Sequence, residues 1–275
     1  MLRTRIVLLI AGISISALLF FLPMAVVDNE KEEMVTTNEE DHSSHDHEEF
    51  DHNASSIDPV LQEKINNLRE LFLSSGNNEK SITFADSLAT LFTSVQKLDS
   101  VIKYREWIAS NFPNEENIEF AGLAYYEAFG YAIDDEKAIA YGEKAREYLG
   151  KVFEKYSDRL DLKTKIAMTY VSSKNPMQGI VMLREVIASD PEHQEALFNL
   201  GLLARQSGQL EKAVERFENI VKLNPNHVQA RFLLAVTYKD MGNITMAKEH
   251  FEIVKRTDND PAVLATVDAY LEEIK

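Results

Sequence analysis

At 275 residues and 45% apolar content, the chain is long enough to bury a sizeable core, and it contains no cysteine. That excludes disulfides, thiolate metal sites, a cysteine nucleophile and a lipid-bearing cysteine. The formal charge of −16 argues against nucleic acid as a partner, since an acidic body repels phosphate backbones.

Residues 1–5 include Arg3 and Arg5 and read as a cytoplasmic stub. Residues 6–27 then run without a charge. A helix of that length reaches about 33 Å at about 1.5 Å per residue, enough to cross a hydrocarbon core of about 30 Å. Basic residues before the run and acidic ones after it orient the N-terminus inside and export the rest. The alternative is a cleaved signal peptide and a secreted body. The run exceeds the usual apolar length of such a peptide, and "LPMAVVD" is a poor cleavage site, so an uncleaved anchor is the preferred reading. The expected location is a bacterial inner (cytoplasmic) membrane, crossed once, with the body in the periplasm.

Residues 28–57 form an acidic linker. The stretch 28–58 holds 12 Asp/Glu against one Lys, a local −11. With +2 before it, the remaining body carries −7 of the chain's −16. So much charge with so few apolar side chains cannot offset the entropy of ordering, and the linker is expected to be disordered. His42, His45, His47 and His52 alternate with carboxylates over residues 41–52. Imidazole and carboxylate together suit divalent metals. A metal site also needs fixed geometry and supporting outer contacts. A spacer that holds the body off the membrane is therefore the preferred reading, and metal handling by this tract the alternative.

The body, 58–275, is periodic. Asp58-Pro59 is a helix-start signal, followed by an apolar stripe at Leu61, Ile65, Leu68 and Phe72, which predicts a cap helix over 59–74. Farther on, a spacing of 34 aligns Ile166, Leu200 and Leu234; Ala167, Gly201 and Ala235; Gly179, Ala213 and Ala247; and Leu183, Phe217 and Phe251. Pro191 and Pro225 share the spacing. Small residues at recurring positions let two helices cross closely, and large ones fill the gap to the next pair. Such self-similarity marks a helical solenoid. Repeats are expected at about 82–115, 117–158 (divergent), 160–193, 194–227 and 228–261. Asp260-Pro261 repeats the start signal for a C-terminal cap helix at 261–274.

The segment "FNLGLLARQSGQLEKAVERFENIVKLNP" resembles the tetratricopeptide repeat (TPR), with Leu200-Gly201, Ala204, Gly208, Ala213, Phe217 and Pro225 in the family positions and Leu197 where the family has Trp. The resemblance extends over 160–258 and more loosely over 82–158, where Gly142 stands at the aromatic position. It implies an all-α fold: a right-handed superhelical solenoid of TPR-type hairpins, here preceded by one transmembrane helix and the acidic linker. In the family the first helix of each hairpin lines a concave groove. Those positions fall here on Thr164, Met168 and Val171, on Phe198, Leu202 and Arg205, and on Phe232, Val236 and Lys239. The subclass that grips a C-terminal carboxylate carries Lys and Asn where this chain has Thr164, Met168, Phe198 and Leu202, so that mode is disfavoured. The expected site is an apolar strip of Met168, Phe198, Leu202, Phe232 and Val236, edged by Arg205 and Lys239. The competing reading is that the two phenylalanines only pack.

His193 and His227 occupy one repeat position, which the repetition itself explains. None of the phosphate-loop, dinucleotide, zincin or nucleophile-elbow patterns is present. The expectation is a non-catalytic, membrane-anchored scaffold or adaptor without a cofactor. Its partner would be a protein or peptide of an envelope or membrane complex. Metal handling through 41–52 is the second hypothesis and self-association a weaker third.

Overall fold

The computed structural model describes residues 57–275. The expected anchor at 6–27 and nearly all of the linker, including His42, His45, His47 and His52, lie outside the described residues. Among the described residues there are twelve helices and no strand, and no helix is long and apolar enough to cross a membrane.

The helices pair into antiparallel hairpins stacked in chain order. α1 (Pro59–Ser75) leads into a first hairpin of α2 (Glu79–Ser94) and α3 (Leu98–Asn111). The second is α4 (Glu115–Tyr131) with α5 (Asp135–Lys155), and the third α6 (Leu160–Val171) with α7 (Pro176–Ser189). α8 (Gln194–Gln206) with α9 (Leu210–Leu223) and α10 (Val228–Asp240) with α11 (Ile244–Thr257) complete the series. α12 (Pro261–Glu273) closes the end. The helices touch mainly their sequence neighbours, and the strongest contacts lie within each hairpin. The fold is thus a solenoid, in which each unit buries its apolar face only against the next.

Local chemistry starts the helices. The Asp58 carboxylate accepts from the Val60 and Leu61 amides, with Pro59 at the first helical position, and Asp260 accepts from Ala262 before Pro261. Asn78 and Ser81 form a reciprocal capping box on α2. Gly208 and Gly242, 34 residues apart, turn the chain inside the last two hairpins at φ 72° and 76°. A side chain is disfavoured there, and Gly is free of that penalty. The corresponding turn in the first hairpin uses Gln96, at φ 57°.

Close crossings explain the small residues. A Cβ added to Gly179 would come within 2.3 Å of the Ala167 carbonyl, and one at Gly201 would meet the Phe217 ring at 2.6 Å. Ala213 and Ala247, at the Gly179 position of the next repeats, are fully buried, as are Leu183, Phe217 and Phe251 behind them.

The second hairpin departs from this plan. α4 and α5 have 17 and 21 residues, whereas the first helices of the last three hairpins have 12–13 and the second helices 14. At about 1.5 Å per residue, α4 is longer by roughly 6–7 Å and α5 by roughly 10 Å. The tip of the hairpin exposes Tyr131 and, completely, Ile133. Its crossing is made by Gly122 against Leu149, where an added Cβ would lie 2.6 Å from the leucine.

Candidate protein-binding surface

The seven residues of the expected groove sit on first helices: Met168 on α6; Phe198, Leu202 and Arg205 on α8; Phe232, Val236 and Lys239 on α10. The structure separates them by burial. Met168, Phe198 and Leu202 are half-buried. Phe232 and Val236 are 9% and 5% exposed. The cause is α12, whose Tyr270 meets Phe232 edge-on at 5.7 Å between ring centroids, with Phe251 at the same distance on the second helix. Of the other aligned positions, Thr164 is fully buried and its hydroxyl donates to the Leu160 carbonyl at 2.8 Å. Val171 is half-buried.

Phe198 packs edge-on against Phe217 at 5.9 Å and stacks on His227 at 5.8 Å. One face of the ring is therefore taken by its own repeat and the next. The two cations at the edge are also engaged. Arg205 donates to Asp240 at 2.6 Å, and Lys239 pairs with Glu273 at 2.7 Å while lying over the Tyr270 ring. Each bond links one unit to the next, so these cations tie the stack as well as border the strip. Lys165 does the same one unit earlier, pairing with Glu195 at 3.3 Å. Arg159 forks onto Glu119 and Asp161, both at 2.8 Å, and these carboxylates raise its pKa further. The open part of the apolar strip is thus Met168, Phe198 and Leu202, on α6 and α8.

The two repeat-position histidines have a plain structural job. His193 Nδ1 accepts from the Ala196 amide at 3.3 Å, and His227 Nδ1 from the Ala230 amide at 3.2 Å. They are the N-caps of α8 and α10. His is not among the favoured capping residues, so the sequence did not suggest the role. An accepting Nδ1 requires the neutral ring, and burial pushes the His227 pKa down. His250 lies buried on α11, stacked on Tyr238 at 5.7 Å and facing the Arg231 guanidinium at 3.4 Å. Burial first, then Arg231, lowers its pKa.

The N-terminal half holds a polar cluster that sequence reasoning missed. Glu106 on α3 accepts from Tyr125 of α4 at 2.9 Å and from Tyr148 of α5 at 3.0 Å. Asp99 on α3 accepts from Tyr141 of α5. Burial and then these carboxylates push Tyr141 and Tyr148 up to about 12, so the phenols remain protonated donors. The pairs are 19 and 42 residues apart in sequence, outside any local pattern. Among the described residues no group of three or more His, Asp or Glu could hold a metal ion. The His tract 41–52 lies outside them.

Models described as tetratricopeptide repeat match residues 164–215 and 204–269. No curated protein sequence matches the chain. A tetratricopeptide repeat protein from Parabacteroides merdae ATCC 43184 is similar in structure, with TM-score 0.57 and 15% identity over 78% of this chain and 82% of that one. MamA (41-end) from Desulfovibrio magneticus RS-1 has TM-score 0.48 and 18% identity over 66% and 96%. YrrB, described as a TPR protein with an unusual peptide-binding site, has TM-score 0.44 and 17% identity over 74% and 99%. These likenesses concern the fold. Residues 164–269, spanning most of α6 through most of α12, are therefore built of tetratricopeptide repeats.

Proposed function

We propose that this chain is a non-catalytic scaffold that binds a protein or peptide partner in the groove formed by its first helices. One observation carries the reading: Met168 on α6 and its repeat counterpart Leu202 on α8, with Phe198 one turn before Leu202, stay only half-buried beside a row of charged residues. An apolar strip that neighbouring units leave partly open suits the apolar face of a partner segment. Phe232 and Val236 then serve the other end of the groove as packing against α12, and Arg205 and Lys239 border it. Self-association through the same strip belongs to this reading as one identity of the partner.

The N-terminal segment supplies the setting. Residues 6–27 would anchor the chain in the bacterial inner membrane, with 28–57 as a spacer and the repeats in the periplasm, where envelope complexes offer partners. The support is the charge-free length of 6–27 and the asymmetry of its flanks. A reporter fused after Lys275 should be active outside the cytoplasm. Activity only in the cytoplasm would end the anchoring reading.

The groove is tested by crosslinked capture from native membranes. The intact chain is compared with a Met168→Glu/Leu202→Glu variant checked for helicity by circular dichroism. Both residues are half-buried, so the change reaches the groove without entering the fully buried core. A partner held by the intact chain and lost by the variant supports the groove. Equal capture by both refutes it.

A further inference from the structure

On the side of the repeats away from the groove, α7, α8 and α9 enclose a shallow cleft. Its floor is apolar, from Ile180, Leu200, Leu203 and Ala204, and its rim is cationic, from Arg184, Lys212 and Arg216. The groove positions on α8 are Phe198, Leu202 and Arg205. At about 100° per residue, Leu200, Leu203, Ala204 and Ser207 fall on the opposite side of that helix. The two surfaces are therefore distinct.

Three cations and no carboxylate line this cleft. The chain carries −16, and many of its cations are committed to carboxylates, among them Arg105, Arg159, Lys163, Lys165, Arg205, Lys239 and Lys255. Among the described residues, Arg184, Lys212 and Arg216 have no carboxylate within ion-pair distance. No acidic residue lines the cleft. Three like charges around one apolar floor repel each other and attract a counter-charge.

The approach to the cleft is apolar as well. Met177 and Val181 on α7 are 62% and 44% exposed. With Ile180 and Arg184 they form a stripe at i, i+3, i+4 and i+7, one face of the helix. Ile180 packs partly on the core, while Met177, Val181 and Arg184 stay exposed. α7 and α8 also make one of the slighter contacts between consecutive helices, which leaves α7 and α9 as two walls with a trough between them.

We propose that this cleft is a second docking surface, and that its occupant is a short helix of a partner protein with leucine-like side chains on one face and carboxylates on the flanks. The apolar face would lie on Ile180, Val181, Leu200 and Leu203. The carboxylates would reach Arg184 and Arg216, whose planar guanidinium groups take a carboxylate in a two-pronged bond. Lys212 adds a point charge.

The test uses the full chain and a fluorescein-labelled synthetic helix of about 14 residues, roughly 21 Å long. It has Leu on one face and Glu on the other, and a counterpart carries Gln for every Glu. Fluorescence anisotropy should show binding of the Glu peptide that weakens as salt is raised. Arg184→Ala/Arg216→Ala should lower its affinity by about tenfold or more, and the Gln peptide should bind about tenfold less well. Met177→Ser/Val181→Ser should weaken both peptides. Arg184→Glu/Arg216→Glu should recover binding to a Lys-bearing version of the helix. That gain separates lost charge from lost folding.

Three results overturn the proposal. The first is binding indifferent to the arginine pair. The second is binding lost in the Met168→Glu/Leu202→Glu variant but kept in Arg184→Ala/Arg216→Ala, which places the peptide in the groove instead. The third is binding that emerges only after residues 28–56 are deleted, which makes the chain's own acidic segment the occupant.

Discussion

The two halves of the stack differ in regularity. From α6 to α12, each hairpin closes on recurring positions, a Gly or Ala at the crossing and a Leu or Phe beside it, at Leu183, Phe217 and Phe251, and single polar bonds such as Tyr238 to Glu218 and Arg205 to Asp240 tie one unit to the next. From α2 to α5 the helices vary in length, and over a shared apolar cluster one carboxylate, Glu106, accepts from tyrosines of two helices. Aromatic packing there also breaks the repeat, with Phe72 edge-on to Trp107 at 4.7 Å. A close crossing tolerates little change of size, because the small residue of one helix meets a ring or the backbone of the other, as Gly201 meets Phe217 and Gly179 the Ala167 carbonyl. An irregular joint admits helices of 17 and 21 residues, at the cost of burying groups that must find hydrogen-bond partners.

Emptying a regular crossing should have the largest effect. Phe217→Ala should cost about 3–5 kcal/mol, since the ring is fully buried and its removal leaves a cavity beside Gly201. In a stack with nearest-neighbour coupling, the loss should fall on α8–α11. Amide exchange should therefore accelerate there while α2–α4 keep their protection. A uniform loss along the chain would mean that the two halves are one cooperative unit.

Removing the polar joint should do less. Glu106→Ala leaves the Tyr125 and Tyr148 hydroxyls without their acceptor, worth about 1–3 kcal/mol by urea unfolding. Glu106→Gln keeps one acceptor and should recover part of it. If Glu106→Ala is neutral, packing alone holds the N-terminal half.

Acidification should act on the C-terminal half through His227 and His250. Both have folded pKa values below the ordinary 6.5. Above that pH, neither the folded nor the unfolded chain protonates them, and nothing is lost. Below it the unfolded chain takes up protons first, so stability declines as pH falls toward the folded values. The Tm should drop between pH 7.5 and 5.5. His250→Gln, which removes one titration but keeps an acceptor for Arg231, should shrink that drop. A Tm that is flat over this range in the intact chain would refute the assignment.

The smallest effect concerns the first turn. Gln96 occupies a left-handed conformation that its counterparts fill with Gly208 and Gly242. Relief of that strain is offset in part by the entropy of a glycine, so Gln96→Gly should raise stability by about 0.5–1 kcal/mol. A lower Tm in this variant would show that the Gln96 side chain has a role the turn geometry does not require.

Much of the C-terminal half was legible in the sequence. The 34-residue spacing of Gly201, Phe217 and Pro225 with their copies placed the hairpins. Asp58-Pro59 and Asp260-Pro261 announced helices that start at Pro59 and Pro261. These signals are local, or repeat at a fixed interval, and need no knowledge of distant partners. The groove positions were legible only as positions. Their exposure depends on what lies over them, and Tyr270 of α12 covers Phe232 while Phe198 keeps one side open.

The all-α stack, its period and the positions of its small and large residues were readable from the chain alone, because helix periodicity and close crossings constrain residues a few turns apart. Which charges remain without partners and which aromatics are covered emerged from how the units pack. Arg205 and Asp240 meet across 35 residues, Tyr148 and Glu106 across 42, and Arg184 and Arg216 share a rim that no carboxylate reaches. Pairing of that kind follows from where consecutive units face each other, and no local pattern carries it.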